Sequence, residues 1–280
     1  MTRREAISFG AARLRAAGIE MPRLEARLLL ARATGMTPET LLGEPDGVTE
    51  TTHYEKLLLR REAHEPLALI LGRREFWSME FAVSDATLVP RPESEALIEA
   101  TCVAYPHGAH PPRRILDLGA GTGCLLLAAL AEFPSAFGVG VDISPAAVSI
   151  ARRNAAMLGF GNRTAFVVAD WASAMSGRFD LVIANPPYIA TAQIPGLMPE
   201  VGLYEPRRAL DGGIDGLEAY RVLVPALPAL LAEAAMAVFE IGSGQAAAVA
   251  ALAAGTGLTT SLSSDLAGTP RAIVLRNTSR

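Results

Sequence analysis

Four consecutive residues, Asn185-Pro186-Pro187-Tyr188, carry the sharpest chemical signal in the sequence. They follow Leu181-Val182-Ile183-Ala184, an apolar run with β-branched residues that reads as the end of a buried strand. Two successive prolines have no N–H for a sheet ladder, so the strand must stop and a stiff turn must follow. That turn presents an amide and a phenol at the carboxyl end of a strand, where open α/β sheets bind ligands. A planar amide or amino nitrogen is a poor nucleophile because its lone pair is conjugated. Two acceptors aimed at its two N–H groups would hold it and push electron density onto it. The Asn185 side-chain oxygen and the Pro186 carbonyl suit that task, with the two prolines fixing the turn. The Tyr188 ring can cover a planar group and favour a nearby cation. Such chemistry rests on positioning and charge matching, and needs no general base.

A second cluster lies upstream. Asp117-Leu118-Gly119-Ala120-Gly121-Thr122-Gly123 sits between a strand and a helix. Glycines there allow positive φ and let a ligand lie against bare backbone. The dinucleotide fingerprint requires a further glycine at Cys124 or Leu126, and a phosphate-binding Walker loop requires a Gly-Lys pair; neither is present. The spacing D-x-G-x-G-x-G instead resembles motif I of class I methyltransferases that use S-adenosylmethionine (SAM). Asp142 ends the next strand and could accept both hydrogen bonds of a ribose diol, or serve as the N-cap of the helix opening at Ser144-Pro145. Asp170-Trp171 ends the third strand, where an indole could stack on an adenine and a carboxylate accept from its amine, or the indole could simply pack in the core. These groups would all fall on one edge of a sheet.

The elements that must position them follow from periodicity. Residues 1–74 read as helices only, with Pro22 and Thr37-Pro38 as helix starts and Gly18 and Gly35 as stops. Residues 75–90 read as a β-hairpin linker with a turn at Ser84–Thr87. Residues 91–280 alternate strands with helices, including a helix over 222–234 and a closing antiparallel pair near 259–262 and 272–275, which implies a doubly wound, mainly parallel sheet. His107 and His110 sit on a proline-rich loop and read as solvated. Half of the 280 residues are hydrophobic, so a large core is available, and the net charge of −4 argues against a stable nucleic-acid partner. The two cysteines have no metal-ligand spacing and form no disulfide framework, which suits a reducing compartment. Neither a signal peptide nor an apolar run of the roughly 18 residues a membrane span needs is visible.

Asn-Pro-Pro-Tyr also resembles motif IV of methyltransferases that modify planar nitrogen, in adenine, cytosine or glutamine. Four further features resemble the HemK/PrmC family: the helical N-terminal domain, Glu75-Phe76-Trp77-Ser78, the run Leu88–Glu95 and Glu205-Pro206-Arg207-Arg208-Ala209-Leu210. The resemblance covers nearly the whole chain. It departs in Glu93-Ser94-Glu95, where many members have threonine in the middle, and in an alanine-rich C-terminal third. It implies a protein-(glutamine-N5) methyltransferase of class I fold that acts in translation termination. The expected substrate is the glutamine of the Gly-Gly-Gln tip of class 1 peptide chain release factors, and the expected product of the donor is S-adenosylhomocysteine. Asn185 to Tyr188 would bind the glutamine; Gly119 to Gly123, Asp142, Asp170, Trp171 and Asn185 would form the SAM shell. The enzyme would be a cytoplasmic monomer whose helices dock the protein substrate. A nucleic-acid adenine methyltransferase would instead need a basic face, and a non-catalytic SAM-fold module would be expected to have lost Asn185 or the glycine turn.

Overall fold

The computed structural model describes the chain except residues 106–109, 266–267 and 278–280, so His107 lies outside the described residues, and His110 is exposed. It divides into two compact units: Met1–Arg73 with Met198–Tyr204, and Arg74–Leu197 with Glu205–Arg280.

The smaller unit is helical: α1 (Arg3–Ala16), α2 (Pro22–Thr34), α3 (Pro38–Gly43), α4 (Thr52–Glu62) and α5 (Leu67–Leu71). Local chemistry sets the helix ends. The Glu5 amide donates to Thr2 Oγ1 and the Thr2 amide donates to the Glu5 carboxylate, a reciprocal cap on α1. Pro22 and Pro38 occupy first-turn positions, and Gly35, at φ 70°, closes α2. Ile7, Leu14, Leu29, Leu30, Tyr54 and Leu58 form the core. The buried Arg61 donates to Glu25 at 2.6 Å and to Glu200 at 3.2 Å, and the Tyr204 hydroxyl donates to the Ala63 carbonyl at 2.7 Å. These bonds bring Met198–Tyr204, remote in sequence, into the helical unit.

The larger unit contains β1 (Arg73–Phe76) and β2 (Met79–Ala82), a two-stranded sheet. Its turn is Trp77-Ser78, at φ 52° and 55°, and not Ser84–Thr87. Two left-handed residues are what a tight hairpin turn demands, although these side chains disfavour it. The Trp77 amide donates to Glu95 at 2.8 Å and its indole to Glu132 at 2.7 Å, which holds the turn.

The chain then runs through α6 (Glu95–Ala104), β3 (Arg114–Leu118), α7 (Cys124–Glu132), β4 (Phe137–Asp142), α8 (Pro145–Met157), β5 (Thr164–Val168) and β6 (Phe179–Ala184). It continues with α9 (Glu218–Leu230), β7 (Leu231–Glu240), α10 (Ala246–Ala254), β8 (Leu258–Ser264) and β9 (Pro270–Asn277). The sheet order is β5-β4-β3-β6-β7-β9-β8, parallel from β5 to β7 and antiparallel thereafter. This is the doubly wound, mainly parallel sheet that the alternation predicts. Successive side chains bury on opposite faces. Ile115, Leu181, Ile183 and Val238 join one cluster with α7, whereas Leu116, Val182, Ala237 and Phe239 join the other with Tyr220 and Leu223. The helix expected over 222–234 starts earlier and ends at Leu230, because Leu231 already pairs with Phe179. The β6–β7 register then shifts, with Ala234 at φ 59° on the irregular stretch.

Gly140 lets the site's supports pack closely. A Cβ there would lie 2.5 Å from the Phe166 ring and 3.1 Å from the Ala120 Cβ. Gly140→Ala should therefore destabilise the fold by about 1–3 kcal/mol and disturb the glycine turn through Ala120. Urea unfolding measures this; an unchanged midpoint would refute the close packing.

Candidate active site

β3 and β6 are neighbours with Leu118 opposite Ala184. The residues that follow, Gly119 and Asn185, therefore leave the sheet side by side. From β3 the chain builds β4 and β5 on one side and returns to β6 on the other, so their carboxyl ends flank the topological switch point.

Gly119, Gly121 and Gly123 have φ of 83°, 54° and 81°, which explains their alternation. The Gly119 and Ala120 amides donate to the Val141 carbonyl at 2.8 and 2.9 Å, pinning the turn to the end of β4. The buried Asn154 donates to the Thr122 carbonyl at 2.9 Å and clasps the backbone of Ala82 through both ends of its amide. A Cβ at Gly119 would stand 3.3 Å from the Trp171 ring, and one at Gly121 would meet nothing within 4 Å. The turn is thus packed on one side and open on the other.

The open side faces a cleft of about 290 Å³. Gly119, Ala120, Gly121, Thr122, Asp142, Asp170, Trp171, Asn185 and Pro187 are among its lining residues; Gly123, Pro186 and Tyr188 are not. Gly123 caps α7 against Ala151 and Phe166. Pro186 is buried. Tyr188 is half-buried, and its hydroxyl donates to Glu240 at 3.1 Å. Trp171 sits at φ 46°, a backbone strain held at the cleft wall. One Asp142 oxygen accepts from the Gly121 amide at 2.9 Å and the other from the Ser144 amide at 2.8 Å. The cap of α8 is Ser144, whose hydroxyl accepts from the Ala147 amide, so Asp142 is not that N-cap; it ties the glycine turn to the segment leading into α8.

Charge is concentrated around this turn. Asp117 is fully buried directly before it, and neither carboxylate oxygen has a hydrogen-bond partner among the described residues. Burial pushes its pKa up to about 7; the nearby Asp142 carboxylate adds to the rise and the Leu126 amide opposes it. Burial likewise pushes the Cys124 thiol up to about 12, which keeps it protonated. At the opposite wall Arg91 donates to the buried Glu205 at 2.6 Å. Burial raises the Glu205 pKa, and the Arg91 charge counteracts it.

That ion pair joins two sequence stretches noticed above only as patterns. Two further residues, Ser94 and Glu240, are given no role in the site by the sequence reading. The Asn185 amide donates to Ser94 Oγ at 3.1 Å, and Ser94 donates in turn to Glu240 at 2.5 Å. The one available sign was a carboxylate, Glu240, ending the hydrophobic run Ala237-Val238-Phe239.

Comparison with known proteins agrees with this geometry. Residues 5–72 match the family described as PrmC N-terminal domain, and residues 95–200 match Methyltransferase small domain. The protein called release factor glutamine methyltransferase in Rhodospirillum rubrum is 47% identical over 95% of this chain and 82% of its own length. The protein of that name in Bradyrhizobium diazoefficiens is 43% identical over 95% of this chain and 92% of its own. A methyltransferase structure from Pyrococcus furiosus shares the fold at a TM-score of 0.53 with 16% identity, covering 79% of this chain and 95% of that one.

The unpaired Asp117 makes stability depend on pH. Its folded pKa of about 7 lies above the ordinary 3.8, so the unfolded chain ionises first as pH rises. The burial cost therefore grows between those two values and is fully present above pH 7. Asp117→Asn should gain thermal stability over the unsubstituted protein as pH rises from about 5 to 8, by several degrees. A gap independent of pH would show that this carboxylate is not held unpaired.

Proposed function

The chain belongs to the release factor glutamine methyltransferase family, and we propose that it methylates the side-chain amide nitrogen of the glutamine in the Gly-Gly-Gln tip of class 1 peptide chain release factors. It is a SAM-dependent methyltransferase. The observation that carries the substrate reading is the meeting of two strand ends: the glycine turn after β3 and Asn185 after β6 line one cleft.

The residues present fit SAM, a nucleoside bearing a cationic sulfur and an ammonium group. Glycine backbone forms an open floor, and Asp142 is oriented by two amides with lone pairs left for a ribose diol. In this reading the Trp171 ring takes the adenine face and Asp170 its amine. The unpaired carboxylate of Asp117 behind the turn suits a positively charged ligand. When bound, SAM supplies an electrophilic methyl group. The chain's own contribution is aim. Asn185 has its amide N–H engaged by Ser94, which leaves its oxygen for a substrate N–H; Pro186 is buried off the cleft wall, so its carbonyl could serve the other only if the bound glutamine reached past the lining. As the new C–N bond forms at the expense of the donor's sulfur–methyl bond, whose electron pair returns to sulfur, the nitrogen becomes more positive and releases one of its two protons to water. Contacts from acceptors to its N–H groups therefore strengthen in the transition state, the condition for a rate effect. Tyr188, steadied by Glu240, stiffens the turn from its far side.

The helical unit would hold the release factor, because a tetrapeptide turn cannot select one glutamine among many proteins. A monomer in the cytoplasm with no stable nucleic-acid partner completes the reading. The net charge of −4 supports the last point, and among the described residues no helix is long and apolar enough to cross a membrane.

Purified protein with labelled SAM should methylate a release factor but not its tip Gln→Ala variant or DNA; label in the Gln→Ala variant would refute the target. Asn185→Ala should keep SAM affinity within about tenfold yet lose about 100-fold or more in transfer; near-normal turnover would remove its role. Asp142→Ala should mainly weaken SAM binding, measured by calorimetry, and an unchanged affinity would exclude the ribose contact. Intact release factor should exceed a tip peptide in kcat/KM by about tenfold or more. Equal values would leave the helical unit without a docking role.

A further inference from the structure

Ser94 ends a 3-10 turn, Pro92–Ser94, that runs straight into α6, and at φ −70°, ψ −13° its side chain makes no cap hydrogen bond. Here the buried hydroxyl instead bridges two side chains from different strand ends. It accepts from Asn185 Nδ2 at 3.1 Å and donates to Glu240 Oε2 at 2.5 Å. Glu240 is itself buried at the end of β7, and its second oxygen accepts from the Tyr188 hydroxyl at 3.1 Å. Its backbone carbonyl accepts from Tyr220 at 2.7 Å.

The direction of this chain follows from donor arithmetic. An ionised carboxylate only accepts, whereas a serine hydroxyl has one proton to give. Glu240 takes that proton's hydrogen bond, so Ser94 can only accept from its other neighbour. Of the two ends of a carboxamide, only the NH2 can donate. We infer that Ser94 and Glu240 are positioning residues that fix which end of the Asn185 carboxamide faces the substrate. With the NH2 turned to Ser94, the oxygen is presented to the cleft. The reversed amide would offer a donor to a nitrogen that carries two N–H groups of its own, and would repel it. Burial and Glu93 raise the Glu240 pKa, while its two hydroxyl donors and Arg271 oppose the rise.

The relay makes the acceptor a property of three elements. Ser94 precedes α6, Glu240 ends β7 and Asn185 follows β6. Ser94 and Glu240 lie 146 positions apart in sequence, and Ser94 and Asn185 lie 91 apart. Threonine at position 94 would carry the same hydroxyl, whereas alanine would leave Asn185 free to turn over. Glutamine at position 240 could offer N–H to Ser94, freeing its hydroxyl to donate to Asn185 and reversing the amide.

The inference deepens the glutamine reading, and its test separates the two. At saturating SAM and release factor, Ser94→Ala and Glu240→Gln should each lower kcat about 10–100-fold with SAM affinity within about threefold. Ser94→Thr should restore kcat to within about threefold of the unsubstituted enzyme. The double variant should lose no more than the worse single one, because both act through one relay. Independently of substrate, the Asn185 side-chain amide signals in a nitrogen–proton spectrum, assigned by their loss in Asn185→Asp, should exchange with solvent faster in Ser94→Ala. Unaltered exchange, a near-normal kcat in Ser94→Ala or additive losses would overturn the relay. Altered exchange in an enzyme that does not methylate release factor would support the relay and refute the substrate.

Discussion

The backbone ladder between β3 and β6 is the constraint on which the cleft depends. Its register sets Ile115 against Leu181 and Leu118 against Ala184, so the two strands end together. A slip of one residue would send every side chain of β6 to the opposite face. It would also move Asn185 along the edge relative to Gly119. That slip is opposed by burial on both faces at once: Leu181 and Ile183 belong to one core, Val182 and Ala184 to the other. Site geometry is thus secured by hydrophobic patterning before any polar contact forms.

On that base the polar groups work by direction. Backbone amides and side-chain donors converge on a few acceptors: Val141 carbonyl for the glycine turn, Asp142 for Gly121 and Ser144, Glu240 for Ser94 and Tyr188. Each acceptor lies at the end of a strand and joins segments remote in sequence. Among the described residues lining the cleft there is no histidine or lysine.

Much of this was legible in the sequence because it is local. The alternating glycines demand positive φ, the paired prolines must end a strand, and proline or threonine at helix starts announces the helical unit; each needs only neighbouring residues. The sheet class followed from alternation of strands and helices. What stayed hidden depends on contacts across the chain. Trp77-Ser78 forms a tight turn despite its side chains because Glu95 and Glu132 hold Trp77. Met198–Tyr204 joins the helical unit through Glu200 and Tyr204, whose partners are far upstream. Leu231 enters a strand because Phe179 pairs with it, against a helical pattern that would carry on. Ser94 stood out only as a departure from the family pattern, and its partners lie on two other strand ends.

Asn185 shows why such hidden residues matter to chemistry. The asparagine itself is obvious in the sequence, but a carboxamide is nearly symmetric in shape and opposite in polarity at its two ends. Its usefulness depends on which end faces outward, and no property of the tetrapeptide decides that. The decision passes through Ser94 to Glu240, a carboxylate kept in the interior against its preference for water. Such a group costs stability unless it is hydrogen-bonded on both oxygens, and here both are. While ionised, a carboxylate, unlike a neutral amide, only accepts, so it sets one polarity on both hydroxyl neighbours.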